Sequence, residues 1–127
     1  MNTAYRRLEI SDAVKRGLLD AFTAHIARHV AASIPERDGP ARVRWSDENI
    51  ALVVIHKHVL ALCKDWVVAE PSGLDLLDGG VRKLLWDATR RAPQTRKMQP
   101  VLTSAWASGM HEARKVHAAA TADTLED

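Results

Sequence analysis

The chain has 127 residues, 46% hydrophobic and 27% charged, with one cysteine and a formal net charge of +2. That is the length of one domain, 1–127, and the composition of a globular one, which excludes disordered, fibrous and disulfide-stapled classes. No apolar run approaches the ~18 residues of a membrane span, and the two arginines of MNTAYRRLEISD lead into no apolar stretch of signal-peptide type, so a cytoplasmic protein is expected.

In chain order, residues 1–10 read as a loose arm. Ser11 reads as an N-cap, with Asp12 in the first turn of a helix running to Ser33. Its stripe is Leu18, Phe22, Ile26 and Val30 at four-residue steps, supported by Val14 and Leu19, and Pro35 ends it. Residues 35–45, with two prolines and a glycine, are a loop. A second helix starts at the cap Ser46, with Asp47 and Glu48 in its first turn, and runs to Val68. It is the most apolar stretch of the chain. Leu52, Ile55, Val59, Leu62 and Trp66 form one line, with Cys63 at its edge, and Ile50, Val53, Val54, Ala61 and Val68 form a second face. A helix apolar on two sides is expected at the centre of a bundle, its second face covered by another helix or by a second copy in a homodimer. The run ALVVI is β-branched enough to be a strand, but the cap and the spacing favour helix.

Residues 69–80, with Pro71 and three glycines, read as a connection tucked onto the core by Leu74, Leu76 and Leu77, with room for a short helical turn. A third helix is expected over Val81–Ala92, a proline-bracketed loop over 93–100, and a last helix over Val101–Ala120. That helix would bury Leu102, Ala105, Trp106, Gly109, Ala113 and Val116, with Gly109 and Ala113 allowing close approach, and the acidic tail 121–127 would fray. Tryptophans at 45, 66, 86 and 106 suggest a period, but their flanking residues do not recur. The predicted fold is therefore all-α: a compact bundle of four main helices with the 46–68 helix central.

Charge is uneven along the chain. Residues 1–78 carry ten basic side chains against eleven acidic, whereas residues 79–117 carry eight against two. On the third helix Val81, Leu84, Leu85, Ala88 and Ala92 form the buried face, and Trp86 projects about 140° from its centre. Trp86 then stands among Arg82, Lys83 and Arg90, close to Arg91, Arg96 and Lys97. An aromatic among cations can stack on a base while the cations hold phosphates, and it can equally anchor a protein partner. Solvated basic side chains, with Trp86 packed under the 93–100 loop or the tail of another helix, are the plainer alternative.

Other constellations are weaker. His25 and His29 are spaced to share a metal ion, but no second ligand pair accompanies them, so no metal or other cofactor is expected. His56 and His58 point to different sides of a helix and would share a face only on a strand. Cys63 reads as apolar filler. No phosphate-binding glycine loop, nucleophile elbow or paired-carboxylate motif is present, so the chain is expected to be no enzyme.

From the second helix onward the order of features resembles the helical core-binding domain of phage-type tyrosine recombinases. The similarity covers residues 46–104 and rests on the proline loop at Pro71, a helix opening on Val81-Arg82, the pair Arg90-Arg91, the basic Arg96-Lys97 and Pro100-Val101-Leu102-Thr103. Val101 interrupts the family's Pro-Leu-Thr, and the chain ends where the family's catalytic domain would begin, leaving no room for its Arg, His and Tyr constellation. The resemblance implies a DNA-binding module of phage or mobile-element origin that does not cleave strands. The expected partner is thus DNA. The rival is a small protein-binding adaptor or inhibitor, for example of a host defence complex, using the Trp86 patch or an apolar helix face.

Overall fold

The computed structural model describes residues 3–33, 46–91 and 93–125. It is an all-α bundle: α1 (Thr3–Ser33), α2 (Asp47–Lys64), α3 (Pro71–Thr89), the single turn α4 (Pro93–Arg96) and α5 (Gln99–Leu125). Among the described residues no helix is long and apolar enough to cross a membrane.

The most extensive packing joins α1 and α5, the two longest helices. From α1 come Ile10, Val14, Leu18, Phe22 and Ile26, and from α5 come Leu102, Ala105, Trp106, Met110 and Ala113, all buried. Gly109 sets the spacing. A Cβ on it would stand 2.9 Å from the Leu18 carbonyl oxygen, so only a residue without a side chain lets the backbones come this close. Phe22 then meets the Trp106 ring edge-on, with centroids 5.7 Å apart.

The reading of residues 1–10 as a loose arm is corrected. α1 is continuous from Thr3, because residues 3–10 contain no glycine or proline and their last member, Ile10, is buried. The arm is also tied down by charge, Arg7 pairing with Glu70. Ser11 is accordingly no N-cap; it lies buried inside the helix, and its Oγ accepts the Val68 amide over 3.1 Å. The proposed end at Pro35, the 35–45 loop and Trp45 lie outside the described residues.

α2 is a helix and not a strand. Ser46 caps it, accepting the Asn49 amide over 3.1 Å; Leu52, Ile55 and Val59 of the predicted line are buried with Cys63 at its edge, whereas Leu62 and Trp66 are half-buried and Trp66 lies past the helix end. It ends at Lys64, four residues short of the expected Val68. The chain there turns back over the start of α3, where Trp66 Nε1 donates to the Gly73 carbonyl at 3.2 Å. A Cβ on Gly73 would come within 2.7 Å of the Val67 oxygen, so the turn needs that glycine. Val68 and Ala69 are buried in the connection, pinned by Ser11 from α1 and by His117 of α5, whose Nε2 donates to the Ala69 carbonyl at 2.8 Å. On the second face Ile50 and Val54 remain 49% and 46% exposed.

The expected connection over 69–80 is instead, from Pro71, the first half of α3. Pro71 occupies the first turn, where its fixed φ and missing amide cost nothing. Leu74, Leu77, Val81 and Leu85 form one buried line. Burying side chains of this size is worth ~1.5–3 kcal/mol each, which outweighs the ~1 kcal/mol penalty of each helical glycine at 79 and 80. Val81-Arg82 therefore lies mid-helix and does not open one. The helix stops at Thr89, where a helix to Ala92 was expected; residue 92 itself lies outside the described residues. The predicted 93–100 loop contains α4, and α5 starts at Gln99 and continues past Ala120 to Leu125, so most of the expected frayed tail is helical. Residues 126–127 lie outside the described residues.

Candidate nucleic-acid interface

The exposed side of α3 is written into its periodicity. Once Leu74, Leu77, Val81 and Leu85 face the core, Arg82, Trp86 and Arg90 must follow one another at four-residue steps on the outside, with Lys83 beside them. Trp86 is 56% exposed, which rules out the alternative that a loop covers it. Arg91 follows the end of α3, Arg96 closes α4, and Lys97 lies before α5; all are exposed.

α4 folds the second half of this basic stretch back onto the end of α3. Thr95 Oγ1 and Arg96 Nη2 donate to the carbonyls of Thr89 and Arg90, both at 3.4 Å, so the turn folds onto the C-terminal end of α3. The cations differ in how free they are. Arg82 Nε donates to Asp78 Oδ1 at 2.9 Å, one helical turn earlier, and Arg90 stands 4.0 Å from Asp87. Lys83, Arg91 and Lys97 have no acidic partner among the described residues. An exposed ion pair contributes little and is readily exchanged for another anion, so the stretch presents three free cations, two loosely held ones, and Arg96, which is bonded to a backbone carbonyl.

A hollow of about 260 Å³ opens beneath Trp86, between α3 and α5. Arg82, Leu85 and Trp86 line it from α3, and Gln99, Thr103 and Trp106 from α5. Trp106 is in the core, as its spacing on α5 predicts, but spacing does not bring Gln99, Thr103 or Asp78 to this site. Gln99 and Thr103 carry no signal of their own, since only the packing of α5 on α3 puts them beside Trp86. Asp78 was legible in principle, because its spacing from Arg82 is that of a helical ion pair.

No protein-family model, curated protein or solved structure matches the chain. The site must be read from its own chemistry.

That chemistry is a set of exposed cations around an exposed indole, an arrangement able to hold an anion beside an aromatic surface. His25 and His29 are half-buried on α1, and the described residues contain no group of three or more side chains able to hold a metal ion. Because α2 is helical, His56 and His58 do not share a face. His56 instead stacks on Phe22, with centroids 5.5 Å apart, and shares a hydrogen bond of 2.9 Å with Thr23 Oγ1.

Proposed function

We propose that this chain is a non-catalytic DNA-binding protein that holds phosphates through the basic stretch 82–97. The observation that supports this most is the exposed row of Arg82, Trp86 and Arg90 on α3, extended by the unpaired Lys83, Arg91 and Lys97. Phosphate contacts of this kind supply affinity without sequence information, and they come from arginine and lysine above all. The concentration of basic side chains in residues 79–117 adds a long-range attraction for a polyanion. The resemblance to recombinase core-binding domains keeps only Arg90-Arg91, Arg96-Lys97 and residues 100–103, since Pro71 and Val81-Arg82 lie inside α3.

Salt dependence tests the reading. Affinity for duplex DNA should fall with salt, at a log–log slope of about −0.9 per phosphate neutralised. Replacing Lys83, Arg91 and Lys97 together by alanine should flatten that slope by nearly three such units, at unchanged melting temperature. A gel-shift titration that finds no duplex binding at about 50 mM salt removes the proposal and leaves the patch to a protein partner.

A further inference from the structure

The hollow under Trp86 is more than a charged surface requires, and its chemistry differs from that of two other hollows and one exposed apolar patch. A cleft of about 510 Å³ between α1 and α5 is lined by three alanines with Ser108, His111 and the oppositely charged Arg28 and Glu112, and holds no exposed indole. A groove of about 340 Å³ between α1 and α2 is apolar, and its two polar members, Thr23 and His56, are bonded to each other. The exposed Ile50 and Val54 have nothing beside them that specifies a partner. The hollow between α3 and α5 differs because it lies within the proposed interface, lined by the exposed Trp86 and by Arg82, with Gln99 and Thr103 free to bond a ligand.

Its floor is rigid. The Trp106 indole is fully buried, held at Nε1 by Asp78 at 2.8 Å and packed edge-on against Phe22. Its roof is the exposed indole of Trp86. On the α5 side neither the Gln99 amide nor the Thr103 hydroxyl is hydrogen-bonded among the described residues, so a donor–acceptor pair and a hydroxyl face a cavity flanked by two aromatic side chains. At about 260 Å³ the space falls just below the ~300–1,000 Å³ of pockets for drug-sized ligands, which suits a single flat heterocycle. The mouth carries Arg82, and the N-terminal end of α5 at Gln99 adds the positive end of a helix dipole.

We propose, resting on the nucleic-acid reading above, that this hollow receives one unpaired base of the bound nucleic acid. The base stacks on Trp86, its edge is read by Gln99 and Thr103, and its phosphate lies toward Arg82 and the start of α5. A base inside a regular duplex cannot reach such a hollow, because its faces are stacked and its edge is paired; a bulged, flipped or single-stranded base can. The protein then prefers nucleic acid containing a locally unpaired nucleotide over fully paired duplex of the same length.

The test compares a short labelled duplex with the same duplex carrying one unpaired nucleotide, by fluorescence anisotropy at about 50 mM salt. The bulged probe should bind on the order of tenfold more tightly, the scale of one base–aromatic stack. Trp86→Ala should abolish that preference, lowering affinity for the bulged probe further than affinity for the paired duplex, and Trp86→Phe should restore most of it. Gln99→Ala should reduce the dependence on which base is unpaired. Equal affinity of the intact protein for both probes, or a preference that survives Trp86→Ala, overturns the base-binding hollow and leaves the phosphate reading standing. Binding to neither probe overturns both.

Discussion

Trp106 Nε1 donates to Asp78 Oδ1 over 2.8 Å, and the same oxygen accepts Arg82 Nε at 2.9 Å. One carboxylate thus satisfies the only polar atom of a buried indole and also holds an exposed cation at the proposed interface. Core and surface are joined at this atom.

Asp78 should therefore separate stability from binding. Asp78→Ala leaves the buried indole N–H without a partner, at a cost of about 1–3 kcal/mol in chemical denaturation. Asp78→Asn keeps an acceptor oxygen of the same shape and should cost well under that. Since the Arg82 pair is solvent-exposed, its own loss matters little to folding. Asp78→Asn also removes a negative charge beside the interface, so it should tighten duplex binding at low salt, with the gain shrinking as salt rises.

The helical glycines should respond in opposite directions. A Cβ at Gly79 or Gly80 meets nothing within 4 Å, and both positions lie inside α3. Alanine at either should stabilise the fold by up to about 1 kcal/mol, the helix-propensity difference. Alanine at Gly109 would set its Cβ 2.9 Å from the Leu18 carbonyl oxygen, forcing α1 and α5 apart. A loss of about 1–3 kcal/mol is expected there, as for other overpacked cores. Urea denaturation of the three single variants reads all of these changes.

Periodicity made the cores of the helices legible, and it failed where tertiary packing overrides a local signal. The buried lines Leu18–Phe22–Ile26, Leu52–Ile55–Val59 and Leu102–Trp106–Gly109 each follow from spacing alone, and the close approach at Gly109 follows from a small residue on a buried face. Ser11 has the side chain of a helix cap, but its partner is an amide far along the chain, which no local pattern reveals. Pro71, Gly79 and Gly80 mark a loop by composition; Leu74, Leu77 and Val81 convert it into helix because their burial is worth more than the glycines lose. At the site the same division holds. The exposure of Trp86 was readable from its angle on the helix, whereas the hollow beneath it exists only once α5 is packed against α3.

His56 should make stability fall on mild acidification. Burial against Phe22 lowers its pKa from the usual 6.5, and no carboxylate pairs with it among the described residues. The unfolded chain therefore takes up the proton at higher pH than the folded one. Below pH 6.5 protonation favours the unfolded state, and the loss continues until the lower folded pKa is passed. Melting temperatures between pH 7.5 and 5 should thus decline more steeply for the native protein than for His56→Asn, which cannot titrate. Parallel curves would show that the imidazole is solvated well enough to titrate alike in both states.

Cys63 should report opening of the α2 end of the core. Its side chain is fully buried, and burial pushes the thiol up to about 11, opposed only in part by the nearby Lys15, whose Nζ is bonded to the Lys64 carbonyl at 2.9 Å. At pH 8 almost no thiolate is present, and none of it is accessible, so an aromatic disulfide reagent should label the folded protein far more slowly than the urea-unfolded chain. Labelling then requires the bundle to open, and its rate should follow the open population when reclosing is fast. Gly109→Ala should speed it in step with its loss of stability, and Gly79→Ala should slow it. If the two variants label at the native rate, exposure of Cys63 is a local event confined to the 65–70 connection, where the Ser11 and His117 hydrogen bonds become the ones that govern it.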